Sequence, residues 1–126
     1  MTYFTDEELK CPHTGIVKLH PGFLEALNDL RIAFNKPMIV NSCCRSKEHN
    51  NIIGGHVRSL HVYDEPFHPI NGCMAVDIST RGWSFKELST FIELAENKGW
   101  SVGIAKTFVH IDRRVDIGIN QTWYVY

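Results

Sequence analysis

Phe23, Leu27, Leu30 and Phe34 recur at helical spacing, and the pattern stops at Asn35-Lys36-Pro37, so a helix with one buried face is predicted there. Phe85, Leu88, Ile92 and Ala95 form a second such stripe. It opens on the capping box of Ser84 and Glu87 and closes at Gly99. A shorter helix begins at Thr5-Asp6-Glu7-Glu8, again in capping-box form, and ends before Pro12. Short apolar and β-branched runs predict strands at Met38–Ser42, Cys73–Ser79, Trp100–Ile104, Phe108–Asp112 and Gln121–Tyr126. Between the first two of these strands, residues 43–72 lose periodicity and read as one long loop holding four of the seven histidines. A loop of that length inside a compact domain points to function. Helices first, then strands around a helix, give an α+β fold: a mostly antiparallel sheet with helices packed on it, in one domain over residues 1–126.

Composition narrows the class. With 126 residues, 44% hydrophobic, 21% charged and a net charge of −1, the chain is an ordinary globular protein and not a nucleic-acid binder driven by charge. No apolar run reaches the roughly 20 residues of a membrane span, and acids occupy the start, where a secretory signal carries bases. Synthesis in the cytoplasm without a signal peptide is therefore expected. Cys11, Cys43, Cys44 and Cys73 include no CxxC pair, so they read as buried thiols and not as a zinc knuckle.

Three separated segments suggest one metal site. Ser59-Leu60-His61 lies in the long loop, Asp77 sits within Ala75-Val76-Asp77-Ile78, and His110 and Asp112 alternate with Val109 and Ile111. Side chains two apart share a strand face, so Val109 and Ile111 can enter the core while His110 and Asp112 face a cleft. An acid among apolar strand residues needs a partner, and a metal ion supplies one. Two imidazoles and a carboxylate leave a fourth zinc position open, as catalytic sites do, for a water that attacks a carbonyl.

At these residues the chain resembles the zinc D-Ala-D-Ala carboxypeptidase and L,D-endopeptidase family, particularly its small phage and bacterial members. The resemblance rests on Asn41-Ser42-Cys43-Cys44-Arg45-Ser46-Lys47-Glu48-His49-Asn50, Gly54-Gly55, Ser59-Leu60-His61, Ala75-Val76-Asp77-Ile78 and Phe108-Val109-His110-Ile111-Asp112, in that order. It implies a hedgehog-like fold, zinc held by His61, Asp77 and His110, and an Arg45 that binds a substrate carboxylate or stabilises the carbonyl oxyanion. The implied substrate is a stem peptide of bacterial peptidoglycan, reached after lysis, pore release or particle assembly.

Two departures from that pattern leave choices open. His61 and Asp77 are sixteen positions apart, much further than is common in the family. Val62–Gly72 supplies the excess; it reads as a lid over the cleft, or as a source of His68 in place of His61. Where several relatives carry an acidic base before the last histidine, this chain has Thr107, which leaves Asp112, Glu48, Asp64 and Glu65 as candidate bases. Asp112 is alternatively a residue that orients a histidine. A catalytically inactive zinc module of the same fold is the first rival reading. A cysteine hydrolase using Cys43 or Cys44 is the second. Arg113 and Arg114 read as solvated charges, and the aromatic C-terminus as an edge or core strand.

Overall fold

The computed structural model describes residues 3–56, 58–64 and 72–126. Helices α1 (Asp6–Leu9) and α2 (Phe23–Phe34) precede strand β1 (Val40–Ser42) and helix α3 (Lys47–Ile52). Strand β2 (Ala75–Ser79), helix α4 (Phe85–Asn97), strands β3 (Ser101–Ile104) and β4 (Phe108–Asp112), a 3-10 turn at Arg114–Ile117 and strand β5 (Trp123–Val125) complete the chain. Both expected capping boxes form, at Thr5 with Glu8 and at Ser84 with Glu87.

The sheet runs β1-β2-β4-β3-β5. Its pairs are antiparallel except β3 with β5, as the sequence predicts for a mostly antiparallel α+β fold. One face is covered by α2 and α4: Phe23, Leu27, Leu30 and Phe34 share a buried cluster with Phe91, Ala95, Trp100, Val76, Ile78, Val102, Val109 and Ile111. Each large apolar side chain buried here contributes about 1.5–3 kcal/mol relative to exposure. The alternate residues of β2 and β4 are left to the opposite face, where Asp77, His110 and Asp112 border a cavity.

One expectation is corrected. Residues 43–72 are not a continuous loop, because Lys47–Ile52 is helical, capped by the Ser46 side chain accepting from the His49 N–H. Only Asn50 of this helix is buried, so no apolar stripe advertises it. His68 and Glu65 lie outside the described residues, as does most of the segment read as a lid. No helix among the described residues is long and apolar enough to cross a membrane.

Candidate metal centre

Strand register makes the first contact. Asp77 on β2 lies directly opposite His110 on β4, and the His110 Nδ1 is 2.9 Å from the Asp77 Oδ1. His61 arrives from outside the sheet with its Nε2 3.1 Å from the same oxygen. The Ser-x-His spacing has a local cause: the Ser59 hydroxyl accepts from the His61 N–H, closing a tight turn. The segment is then tied to the Arg45 backbone, whose N–H donates to the His61 carbonyl and whose carbonyl accepts from Tyr63. Arg45 and His61 are thus fixed relative to each other by main-chain bonds, although they are far apart in sequence.

Both imidazoles are oriented from behind. The His61 Nδ1 lies 2.7 Å from the Cys43 carbonyl, which only accepts, so this nitrogen carries the proton and the Nε2 faces Asp77. The His110 Nε2 lies 2.9 Å from the Asp112 Oδ2. Arg114 grips that carboxylate with two prongs, Nε to Oδ1 at 2.9 Å and a terminal nitrogen to Oδ2 at 2.8 Å.

The electrostatics follow from this arrangement. Burial disfavours the charged imidazole of His110, but its bonds to Asp112 and Asp77 outweigh that and raise it to about 9. Burial prevails at His61 and lowers its pKa against the pull of Asp77. Burial opposes ionisation of Asp77, yet the hydrogen bond from His110 and the nearness of the His61 imidazole hold its carboxyl well below the usual range. Asp112 is likewise lowered to about 2, with Arg114 and His110 overcoming its burial.

A neutral His61 whose Nδ1 carries the proton turns a lone pair toward the Asp77 oxygen, an acceptor facing an acceptor at 3.1 Å. A cation between them resolves that conflict. The separations also suit zinc, since bonds of ~2.0 Å in a tetrahedron place ligand atoms about 3.3 Å apart. His61, Asp77 and His110 are all buried and their ligand atoms lie within 4.8 Å of one another. The donor set therefore fits the ion.

The triad forms part of the wall of a cavity of about 670 Å³, with Arg45, His56, Arg58, Phe108, Arg114, Tyr124 and Tyr126 also lining it. Arg45 is held by the Ser42 hydroxyl, the Asn50 side-chain oxygen and Asp77, at 3.2, 3.4 and 3.4 Å. Asp112 is fully buried with both oxygens engaged by Arg114 and His110, the geometry of an orienting residue and not of a base meeting substrate. Of the other candidate bases, Glu48 pairs with His13 and Asp64 accepts from the Lys47 N–H, and neither lines the cavity.

Sequence reading missed Arg114, which is no solvated charge, and the tyrosines of β5. The alternation that put His110 and Asp112 on one face continues to Arg114, and Tyr124 and Tyr126 share parity on the edge strand, so both signals were present. The Tyr124 ring sits 6.4 Å from that of His110, centroid to centroid.

Two histidines and an aspartate in the wall of one cavity, with a fixed guanidinium beside them, form a candidate centre of the kind a mononuclear metallohydrolase would use. The chain belongs to the peptidase M15 family, whose model matches residues 2–112. That family is one of zinc metallopeptidases, in agreement with the donor set. No curated protein matches the chain.

Proposed function

We propose that this protein is a zinc-dependent peptidase that hydrolyses peptide bonds in the stem peptides of bacterial peptidoglycan, as a carboxypeptidase or endopeptidase. The observation that carries the reading is the convergence of the His61 Nε2, an Asp77 oxygen and the His110 Nδ1 beside Arg45 in one cavity wall. Zinc bound there would supply Lewis acidity, polarising a peptide carbonyl and making water acidic enough to attack at neutral pH. Arg45 presents a planar donor array suited to a terminal carboxylate or to the charge that grows on the carbonyl oxygen. Asp112 and Arg114 keep His110 turned toward the triad. Phe108, Tyr124 and Tyr126 give the cavity an aromatic wall against which substrate packs.

One observation favours a second reading, a zinc module that binds wall peptides without cutting them. Among the described residues, Asp77 and Asp112 are the only carboxylates lining the cavity, and both are committed to histidines. A single experiment separates the readings: metal content and muropeptide cleavage are measured for wild type, His61→Ala and His110→Ala. Zinc at one equivalent with cleavage lost in both variants supports the peptidase. Zinc with no wild-type turnover on a broad muropeptide panel supports the binding module, and absence of zinc from wild type overturns both.

A further inference from the structure

A second group of side chains lies behind the metal centre. Cys43, Cys44 and Cys73 are buried, and their sulfurs lie within 4.8 Å of one another. Cys43 leaves β1 just before the Arg45 segment, and Cys73 leads into β2, so the pair brackets the stretch that holds Arg45 and His61. The Cys43 and Cys73 sulfurs are 3.6 Å apart. The Cys44 sulfur belongs to the same cluster and also lies 3.8 Å from the Lys18 carbonyl. The Cys43 carbonyl is the shared acceptor of the His61 imidazole at 2.7 Å and of the Cys73 thiol at 3.3 Å.

We infer that Cys43 and Cys73 form a disulfide when the protein folds in an oxidising medium, and that this bond locks the frame of the metal centre. The two sulfurs, 3.6 Å apart, must approach by about 1.6 Å to reach the roughly 2.05 Å of a disulfide bond. The chemistry balances by exchange with a small-molecule disulfide. One cysteine thiolate attacks an oxidant sulfur and expels a thiolate, the second cysteine thiolate attacks the protein sulfur of the resulting mixed disulfide and expels another, and the two protons given up by the cysteines are taken up by the two expelled thiolates. Two cysteines are oxidised and one oxidant disulfide is reduced to two thiols.

The alternative occupant of this cluster, a thiophilic metal ion on three thiolates, would leave net negative charge in the core, whereas a disulfide is neutral. Oxidation also removes the Cys73 donor from the Cys43 carbonyl and leaves that acceptor wholly to His61. The metal centre therefore survives oxidation. The bond closes a loop of about 30 residues, of a size for which cross-linking restricts the unfolded chain substantially.

The test refolds the full chain from denaturant in a buffer of reduced and oxidised glutathione, then maps disulfides by mass spectrometry and counts free thiols after denaturation. Its readouts do not depend on peptidase activity, so its outcome is separate from the fate of the proposed function. The expected result is a Cys43–Cys73 link, two free thiols, undiminished zinc content, and a thermal midpoint roughly 5–10 °C above that of the reduced protein. Cys44→Ala keeps the link and the rise on oxidation; Cys73→Ala loses both. Four free thiols after refolding, a link through Cys44, a stable glutathione adduct, loss of zinc on oxidation, or a soft metal bound by the cluster overturns the proposal. If Cys73→Ala does not fold, the peptide map and thiol count of wild type decide alone.

Discussion

Arg114 grips Asp112 with two hydrogen bonds of 2.9 and 2.8 Å, one to each carboxylate oxygen, and Asp112 in turn holds the Nε2 of His110. The chain Arg114 to Asp112 to His110 thus aims the Nδ1 at Asp77 without touching the triad's other members. Replacing Asp112 by Asn, which can rotate and no longer carries charge, is expected to weaken zinc binding about 10–100-fold. Arg114→Met should weaken it less, and Arg114→Lys should not fully restore it, because an ammonium cannot make the fork. Competitive chelator titration measures each affinity; an unchanged Asp112→Asn value would remove the orienting role.

That relay also shows where sequence reading stops. Alternation along Phe108-Val109-His110-Ile111-Asp112 gave the correct faces because a half-buried strand imposes a period of two, and the apolar stripe of α2 was legible for the same kind of reason; on α4 the stripe holds at Ala95 and in part at Leu88 and Ile92, but Phe85 is exposed and Phe91 is the aromatic buried against the sheet. The triad His61, Asp77 and His110 was named by resemblance. Its assembly rests on main-chain bonds between Arg45, His61 and Tyr63 that no pattern of side chains encodes. Helix α3 was missed because it buries polar Asn50 where an amphipathic helix would bury an apolar residue. Arg114 was missed because an arginine after a strand is usually solvated, and only the identity of its partner makes it otherwise.

Removing the metal should expose a pH dependence of stability. In the metal-free protein the His110 pKa stands at about 9, above the ordinary imidazole value of 6.5, so its protonation stabilises the fold fully below the lower value. That contribution is lost as pH rises toward the higher one. Denaturant unfolding of chelated protein is expected to show stability falling by on the order of 1–3 kcal/mol between those limits. Zinc requires the unprotonated Nδ1, so saturating zinc should abolish the decline, and metal binding at neutral pH should release about one proton from this residue. A flat apo profile would show that His110 is not held protonated.

Asp77 carries a different liability. Its carboxylate meets His61, His110 and Arg45 in a buried setting, so Asp77→Asn leaves the Arg45 guanidinium without its carboxylate and the protonated His110 with Asp112 alone. Metal-free Asp77→Asn is expected to lose about 3–5 kcal/mol of stability and to hold zinc far more weakly. Because Asp77 ionises well below the usual range, wild-type stability should fall as pH drops below the ordinary carboxylate range while the variant's falls less. Parallel acid-unfolding curves would contradict this.

Gly55 offers a way to disturb the substrate side of the site while leaving the metal in place. Its backbone N–H donates to the Asn50 carbonyl, and a Cβ at this position would collide with the Asn50 side-chain amide. That amide accepts from Arg45 through its oxygen and donates to the His56 carbonyl at 2.8 Å. Gly55→Ala must therefore push Asn50 away, and Arg45 loses one of three restraints while His61, Asp77 and His110 keep theirs. The expected outcome is unchanged zinc affinity with kcat/KM on wall peptides reduced about 10-fold or more, since small displacements of a positioning group are costly in rate. Arg45→Lys should reproduce the loss with the backbone intact, because lysine keeps the charge and loses the planar array. If Gly55→Ala releases zinc, or if Arg45→Lys cleaves as well as wild type, then Arg45 does not act on substrate and the guanidinium serves only to neutralise Asp77.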